Sequence, residues 1–221
     1  MSFVAALEPE AEPIWDAIHE HPMVRGIGDG TLDEEPFRRW VRQDYYYLIE
    51  YNRVFALGAA RAPDLARIER FADLLSETVS TEMDLHRSYA ANFGISEADL
   101  EATEPSPTTR GYTDFLVRTA ATGSFGELVA ALLPCMWGFA ETGKRLAREG
   151  LPDHEGYAEW IETYSSEEFV ELADWCAELL DEVAAGAGDD RKARYREAFL
   201  TSARYEYLFW DAAWTGEEWP L

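Results

Sequence analysis

The sequence has little cysteine and no long hydrophobic run. Only two of its 221 residues are cysteines, Cys135 and Cys176, so no disulfide framework is expected. The longest nearly uninterrupted apolar segment, LVAALLPCMWGFA, is too short to cross a bilayer, which takes about 20 residues. The first residues also lack the basic start of a signal peptide. These absences predict a cytoplasmic protein that does not enter a membrane.

Positive charge is also scarce. Lysine and arginine together number 19 against 43 acidic residues, which leaves a net charge of −24. Nucleic acids and anionic membrane surfaces attract the opposite balance, so neither is expected as a partner. An acidic surface stays hydrated in concentrated salt, where screening shortens the range of the repulsion. We therefore expect a protein adapted to a salt-rich cytoplasm.

Patterns that bind metals or phosphates are missing too. The four histidines include no Glu-x-x-His motif, which di-iron bundles require in pairs. Asp16-x-x-His19 stands alone, and Glu82 and His86 are a single pair at i and i+4. No glycine-rich phosphate loop or nucleophile elbow occurs. The sequence therefore predicts neither a metal nor an organic cofactor.

Helical patterns fill the rest of the chain, and no segment alternates apolar and polar residues as a strand does. The segments HPMVRGIGDG and ISEADLEATEPSPTT are predicted as irregular. Three S/T-x-x-E capping boxes mark helix starts. They lie at Thr31–Glu34, Ser124–Glu127 and Ser165–Glu168. We predict a single all-α domain over residues 1–221, a bundle of seven to nine helices, with residues 64–93 continuing as helix up to Gly94.

Cys135 differs from an ordinary buried cysteine because Pro134 precedes it inside a helix. Proline lacks an N–H and its ring clashes with the preceding turn, at a cost of about 3 kcal/mol, so the helix should bend and open there. Gly138 leaves space on one face, and Phe139 lies at i+4 from the sulfur. Most lone cysteines are small buried hydrophobes, which suits Cys176 in ELADWCAELL. The surroundings of Cys135 instead indicate a thiol that lines a pocket.

Two carboxylates lie in aromatic segments. Asp44 in QDYYYL shares a helix face with Tyr47. A buried aspartate must be hydrogen-bonded or neutralised, either by another helix or by an amidine-like ligand beneath a stacked tyrosine. Glu206 in SARYEYLFWDAAW has little exposed face available, and burial raises the pKa of a glutamate towards values that suit a general acid or base.

Five segments resemble, in order and spacing, motifs of the TenA/thiaminase II family. They are FRRWVRQDYYYL, RGYTDFL, ALLPCMWGF, IETYSSEEF and YEYLFWDAAW, and the resemblance covers essentially the whole chain. It implies an all-α fold like that of haem oxygenase, without haem, and a homotetramer. Family members hydrolyse aminopyrimidine breakdown products of thiamin to 4-amino-5-hydroxymethyl-2-methylpyrimidine, and some cleave thiamin itself.

The resemblance also implies roles for individual residues. Cys135 would be the nucleophile, Glu206 the general acid and base, and Asp44 the anchor for the amidine edge of the pyrimidine. The residues that would line the ring and orient the reacting groups are Tyr47, Tyr112 and Tyr164. Where this chain has Phe139, the family usually has tyrosine, so the stacking ring is kept and the phenol hydroxyl is lost.

Two other functions fit the same fold. A cofactor-free oxidase resembling pyrroloquinoline quinone synthase would need basic residues and histidines around an acidic substrate, and this chain has few of either. A regulatory pyrimidine-binding protein would not need both Cys135 and Glu206. The sequence therefore favours the hydrolase, and it leaves open whether an aminomethyl-pyrimidine or thiamin is the preferred substrate.

Overall fold

The computed structural model describes residues 2–220, except for the side chains of residues 81, 82, 84 and 85. The described chain is helical throughout and contains no strand, which confirms the predicted all-α class. The helices are α1 Phe3–His19, α2 Pro22–Asp29, α3 Glu34–Arg61, α4 Leu65–Glu77, α5 Met83–Asn92, α6 Glu97–Glu101, α7 Pro107–Thr122, α8 Phe125–Glu149, α9 Glu155–Ser165, α10 Glu167–Ala185 and α11 Asp189–Thr215. A π-helix, Thr78–Glu82, joins α4 to α5.

The helix count differs from the prediction, with eleven α-helices among the described residues instead of seven to nine. One added helix, α2, occupies the segment predicted as a loop. Pro22 begins it, the His21 Nδ1 accepts a hydrogen bond from the backbone N–H of Met23 at 3.2 Å, and Gly30 ends it in the left-handed region at φ 75°. These are ordinary start and stop signals, and the eight residues between them are too few to show a clear helical period.

The other differences lie between residues 64 and 106. The short helix α6 interrupts the second predicted loop, where Ser96 and Asp99 form a capping box. The continuous helix predicted over residues 64–93 is confirmed from Leu65 to Asn92, with a π-helical turn at Thr78–Glu82 that was not predicted, and it ends before Gly94, which has φ 69°. The side chain of Glu82, which the sequence pairs with His86, lies outside the described residues.

One of the three predicted capping boxes is confirmed. At the start of α8, the Ser124 Oγ accepts from the backbone N–H of Glu127 at 3.3 Å, and the Glu127 carboxylate accepts from the backbone N–H of Ser124 at 2.8 Å. These two bonds satisfy donors that a helix start otherwise leaves open. The first turn of the helix that carries Cys135 is therefore set locally.

The other two boxes are wrong. The Thr31 hydroxyl donates to the Asp29 carboxylate at 2.6 Å, and α3 begins only at Glu34. Helix α10 is capped one residue later than predicted, by Ser166, whose Oγ accepts from the backbone N–H of Phe169 at 3.2 Å. In both places a neighbouring side chain offers the backbone an equivalent hydrogen bond, so the motif alone does not select the residue.

The chain divides into two compact units. Unit 1 comprises Met1–Asp33 and Val129–Asp211, and unit 2 comprises Glu34–Leu128 and Ala212–Leu221. The prediction of one domain over residues 1–221 stays a prediction. The two units are described separately below.

Unit 1 is built around helices that bury aromatic and aliphatic side chains. Helix α1 contacts α10, where the backbone N–H of Val4 donates to the Asp181 carboxylate at 2.9 Å. Helix α2 contacts α9, and the hydroxyl of the fully buried Tyr157 donates to the carbonyl of Leu32 at 3.1 Å. Both bonds join segments that are far apart in the sequence, and they stabilise the packing of unit 1, to which α11 and most of α8 belong.

Unit 2 is centred on α3, which contacts α4, α5 and α7. Gly58 permits the closest of these approaches, since a Cβ there would lie only 2.5 Å from the ring of Phe71. At the end of α3 the Arg61 guanidinium donates to the carbonyl of Ala121 at 2.7 Å. The Trp219 indole donates to the Pro105 carbonyl at 3.0 Å. None of the helices in the described part of the chain is long and apolar enough to span a bilayer.

Candidate active site

The predicted nucleophile and acid/base both belong to unit 1. Cys135 and Phe139 lie on α8, Tyr164 on α9, and Glu206 and Trp210 on α11. We call these five residues the thiol cluster. Glu206 is only 3% exposed, as expected for a carboxylate in so aromatic a helix, whereas Cys135 is half-buried.

Helix α8 continues through Pro134 rather than ending there. Proline cannot donate to the preceding turn, and its ring pushes the carbonyls of that turn outward. The carbonyl that loses its helical donor in this way is that of Ala130. The hydroxyl of the fully buried Ser202, on α11, donates to the next carbonyl, that of Ala131, at 2.7 Å, and this bond joins α11 to α8 one turn before Cys135. The bend predicted at Pro134 stays a prediction.

The register between α8 and α11 relates the two chemical groups. The hydrogen bond from Ser202 joins residues 71 positions apart in the sequence. Phe139 and Trp210 are separated by the same number of positions, and their ring centroids lie 5.5 Å apart. Because the register is equal one turn before and one turn after Cys135, the residue level with Cys135 is Glu206. The thiol and the carboxyl therefore lie at the same height on adjoining helices.

Aromatic rings surround this level. The buried ring of Phe139 lies 4.8 Å from that of Tyr164 and 6.0 Å from that of Trp160, centroid to centroid. Trp160 and Tyr164 also contact each other at 4.7 Å. Phe139 is therefore part of an aromatic cluster in unit 1, and its role as a surface for a substrate ring stays a prediction.

Two glycines of α8 are close-approach sites, and only one was predicted as part of the site. The space beside Gly138 was predicted to line a pocket; this is wrong, because the Trp15 ring fills it and a Cβ would lie 2.7 Å from that ring. Gly143 was missed: a Cβ there would lie 2.6 Å from the backbone of Tyr164. Gly143 thus allows the end of α9 to approach α8. Glycine inside a helix costs about 1 kcal/mol relative to alanine. A glycine at position 143 of a predicted helix therefore could have indicated a close contact with another segment.

The predicted amidine anchor belongs to unit 2. Asp44 on α3 is 5% exposed, and its Oδ2 lies 2.7 Å from the Nε2 of His86 on α5. Tyr47 and Tyr112 complete a set that we call the carboxylate cluster: Asp44, Tyr47, His86 and Tyr112. Of the two expectations for a buried aspartate, the tie to another helix is present. It engages one carboxylate oxygen and leaves Oδ1 as a further acceptor.

The two tyrosines of this cluster touch each other. The rings of Tyr47 and Tyr112 lie 5.2 Å apart, and Tyr47 stacks on Tyr51 at the same centroid distance with an interplanar angle of 26°. Both Tyr47 and Tyr112 are nearly fully buried. Tyr47 and Tyr112, which the resemblance assigns together to the lining of the pyrimidine ring, are therefore in contact with each other.

The second cysteine has a different environment. Cys176 is fully buried on α10, and this burial raises the pKa of its thiol from 9.0 to about 12. At neutral pH Cys176 is therefore protonated and inaccessible. The expectation that it is a small core residue is confirmed by its position.

Within the part of the chain that the structure describes, no group of three or more His, Cys, Asp or Glu side chains could hold a metal ion. The chemistry available in the two clusters is that of a thiol, two buried carboxylates, an imidazole and aromatic rings.

Comparison with known proteins identifies the family. Residues 8–216 match the model of the TENA/THI-4/PQQC family. The chain belongs to this family. It is 47% identical over 222 residues to an aminopyrimidine aminohydrolase of Halalkalibacterium halodurans, covering 99% of this chain and 98% of that protein.

Solved structures agree with the family and with the fold. A TenA homologue from P. horikoshii OT3 is similar with a TM-score of 0.90 and 30% identity, covering 98% of this chain and 100% of that one. A domain from Shewanella denitrificans described as having a haem oxygenase-like fold is similar with a TM-score of 0.75 at 17% identity, covering 96% of this chain and 92% of that one. The predicted haem-oxygenase-like architecture is confirmed.

Proposed function

We propose that the protein is an aminopyrimidine aminohydrolase. Its substrates would be aminopyrimidine products of thiamin breakdown, such as 4-amino-5-aminomethyl-2-methylpyrimidine, and its product 4-amino-5-hydroxymethyl-2-methylpyrimidine. The name of the relative from H. halodurans favours this activity over a cofactor-free oxidase or a pure binding protein. The observation that carries the proposal is the common level of Cys135 and Glu206 on α8 and α11.

The reaction breaks the bond between the exocyclic methylene carbon of the pyrimidine and an amine nitrogen. Direct displacement at that carbon is slow, and covalent catalysis divides it into easier steps. The Cys135 thiolate adds to a ring carbon, and the electron pair of the ring then expels the amine, which takes up a proton. Water adds its hydroxyl to the exocyclic methylene and gives its proton to the carboxylate that protonated the amine, and departure of the thiolate from the resulting adduct restores the neutral aromatic ring.

Glu206 is suited to the proton transfers in this sequence. A carboxyl group in a buried site can give a proton to the departing amine and take one from the incoming water. The position of Glu206 level with Cys135 on the adjoining helix supports this assignment. The amide of glutamine would keep the shape of Glu206 and lose this capacity.

The carboxylate cluster supplies recognition in this proposal. The 4-amino group and the adjacent ring nitrogen form an amidine-like edge that an aspartate oxygen can bind, and Asp44 has Oδ1 available for this purpose. The neighbouring rings of Tyr47 and Tyr112, inclined to each other by 40°, offer aromatic contacts for a pyrimidine. Phe139 and Tyr164, inclined to each other by 48°, offer further aromatic contacts.

Product analysis tests the proposal. The protein is incubated separately with the aminomethyl-pyrimidine and with thiamin in water enriched in oxygen-18. The products are then separated by chromatography, and their masses are determined by mass spectrometry. The hydroxymethyl-pyrimidine should form with one labelled oxygen, together with ammonia or the thiazole. A folded wild-type protein that converts neither compound would overturn the proposal.

Substrate preference is expected to depend on position 139. Phe139→Tyr adds one hydroxyl to a ring that already contacts Tyr164, so the variant should fold and remain active. One hydrogen bond gained by only one substrate would change the ratio of the two kcat/KM values by roughly tenfold, or about 1.4 kcal/mol. The ratio is measured with aminomethyl-pyrimidine and thiamin. Phe169→Tyr is the matched control, since Phe169 contacts the other side of Tyr164 at 5.0 Å. Equal ratios in all three proteins would mean that position 139 provides only a surface.

We further propose that the chain assembles as a homotetramer, in line with the resemblance. Helix α4 carries exposed apolar side chains at Leu65 and Ile68, which are 68% and 39% exposed, and Val79 in the following π-helix is 54% exposed. Leu65 and Ile68 lie one turn apart, and Val79 lies about 16 Å further along the helix axis at about 1.5 Å per residue. Exposed apolar side chains that lie next to each other are typical of surfaces that bind another protein. We expect this surface, Leu65, Ile68 and Val79, to contact a second copy of the chain.

Assembly should depend on salt and on Ile68. Subunits with a net charge of −24 repel each other over a Debye length of about 30 Å at 0.01 M salt but only about 3 Å at 1 M. Light scattering should therefore show dissociation and loss of activity at low salt, and recovery in molar KCl. Ile68→Glu should prevent assembly even in molar KCl, whereas Leu151→Glu, at another exposed apolar residue, should not. A tetramer with full activity at 10 mM salt would contradict the salt dependence, which rests on the charge of the surface.

A further inference from the structure

We infer that His86 is a positioning residue that holds the Asp44 carboxylate in the orientation in which it binds the pyrimidine. The inference deepens the proposed function and rests on it, because it concerns the recognition of the same substrate.

The contact between the two side chains has the features of a strong hydrogen bond. The Nε2 of His86 lies 2.7 Å from the Oδ2 of Asp44, and the two residues are 9% and 5% exposed. An ionised carboxylate only accepts hydrogen bonds, so the imidazole Nε2 is the donor. A charge-assisted bond out of contact with water is stronger than one at the surface. It therefore restrains the rotation of the carboxylate about its Cβ–Cγ bond.

The imidazole is itself held in place by α3. Trp40 lies one turn before Asp44 on that helix, and its ring centroid is 6.3 Å from that of His86. Trp40 is almost completely buried. The imidazole ring of His86 thus contacts both the indole of Trp40 and the carboxylate of Asp44, and these two contacts restrict its rotation.

The π-helix between α4 and α5 explains why His86 faces α3. The buried positions before it, Phe71, Leu74 and Thr78, follow the three- and four-residue spacing of an α-helix. The backbone N–H of Met83 donates to the carbonyl of Thr78, which is the hydrogen bond of a π turn. The spacing of three then resumes at His86. Without the additional residue, the His86 side chain would be rotated by about 100° around the helix axis.

A held carboxylate matters most for binding. The amidine edge requires an oxygen lone pair at a defined angle, and an anchor that rotates freely must be ordered when the substrate binds. His86 accomplishes this ordering before binding, through Oδ2, and leaves Oδ1 for the substrate. Loss of His86 should therefore raise KM and the dissociation constant of the product more than it lowers kcat.

Two substitutions separate the hydrogen bond from the packing. His86→Phe keeps an aromatic ring against Trp40 and removes the donor, whereas His86→Gln keeps an N–H donor and removes the ring. We expect His86→Phe to raise KM for the aminomethyl-pyrimidine, and the Kd for the hydroxymethyl-pyrimidine by calorimetry, by roughly 10- to 100-fold, the range for a hydrogen bond to a charged group. His86→Gln should stay closer to wild type. A purely structural His86 would give the opposite order.

The controls make each outcome decisive. His19→Phe replaces a half-buried histidine whose Nε2 makes no hydrogen bond among the described residues, so it should leave KM unchanged. His86→Phe should have no further effect on KM in the background of Asp44→Ala, because the imidazole acts through that carboxylate. Thermal unfolding confirms that each variant is folded before its constants are compared. Multiplicative effects of the two substitutions, or a normal KM in folded His86→Phe, would overturn the inference while an active wild type leaves the proposed function standing.

Discussion

Replacement of Cys135 by serine is expected to lower kcat by several orders of magnitude while the fold is retained. Serine and cysteine differ by one atom, but the serine hydroxyl is far less ionised than a thiol near neutral pH, so addition to the pyrimidine ring would be nearly abolished. Steady-state kinetics with the aminomethyl-pyrimidine measure the loss. Binding of the hydroxymethyl-pyrimidine should persist, because the thiol is assigned to the reaction rather than to recognition.

Cys176→Ser is the matched control. Full burial raises the pKa of the Cys176 thiol to about 12, so this side chain supplies no thiolate at neutral pH. Its replacement should leave kcat and KM close to those of the wild type. Brief treatment with iodoacetamide should likewise modify Cys135, which is half-buried, and spare Cys176. If Cys176→Ser were inactive and Cys135→Ser active, the assignment of the nucleophile would be wrong.

Glu206→Gln is expected to have the second largest effect. The substitution keeps the size of the side chain and replaces the carboxyl group by an amide, which cannot act as an acid or a base near neutral pH. We therefore expect kcat to fall by roughly 10²- to 10⁴-fold, the range that general acid–base groups contribute. KM should change much less, since recognition is assigned to Asp44 and the tyrosines. Rapid-quench measurement of a single turnover distinguishes slower chemistry from slower product release.

The control for Glu206 lies on the same helix. Glu197 is an exposed residue of α11, and Glu197→Gln removes the same charge without touching the thiol cluster. Its kinetic constants should match those of the wild type. A Glu206→Gln variant with normal kcat would remove this residue from the mechanism. The level position of Glu206 beside Cys135 would then be a feature of packing alone.

Several elements of the fold followed from local signals. The all-α class was predictable because no segment has the two-residue period of a strand. The start of α8 was predictable because Ser124 and Glu127 satisfy each other within four residues. Helix α2 and the π-helix were not predictable in this way. The first is too short to show a period, and the second differs from an α-helix by one residue in its hydrogen bonding, which no local pattern specified.

The candidate site divides along the same line. The sequence by itself determined which groups are chemically capable, since Cys135, Glu206 and Asp44 are a thiol and two carboxylates in apolar surroundings. It also predicted a bend at Pro134, before the thiol. The tertiary structure decided that the hydroxyl of Ser202 joins α11 to α8 at the carbonyl of Ala131.

Only the tertiary structure decided the neighbours of these groups. Cys135 and Glu206 are 71 positions apart, Asp44 and His86 are 42 apart, and the backbone of Tyr164 reaches α8 because Gly143 lacks a side chain. Local propensity acts over one or two turns of helix, so it cannot specify the register of two helices or the direction in which a π turn rotates a histidine. These relations arise when buried side chains from distant segments pack at high density, and the whole chain takes part in that choice.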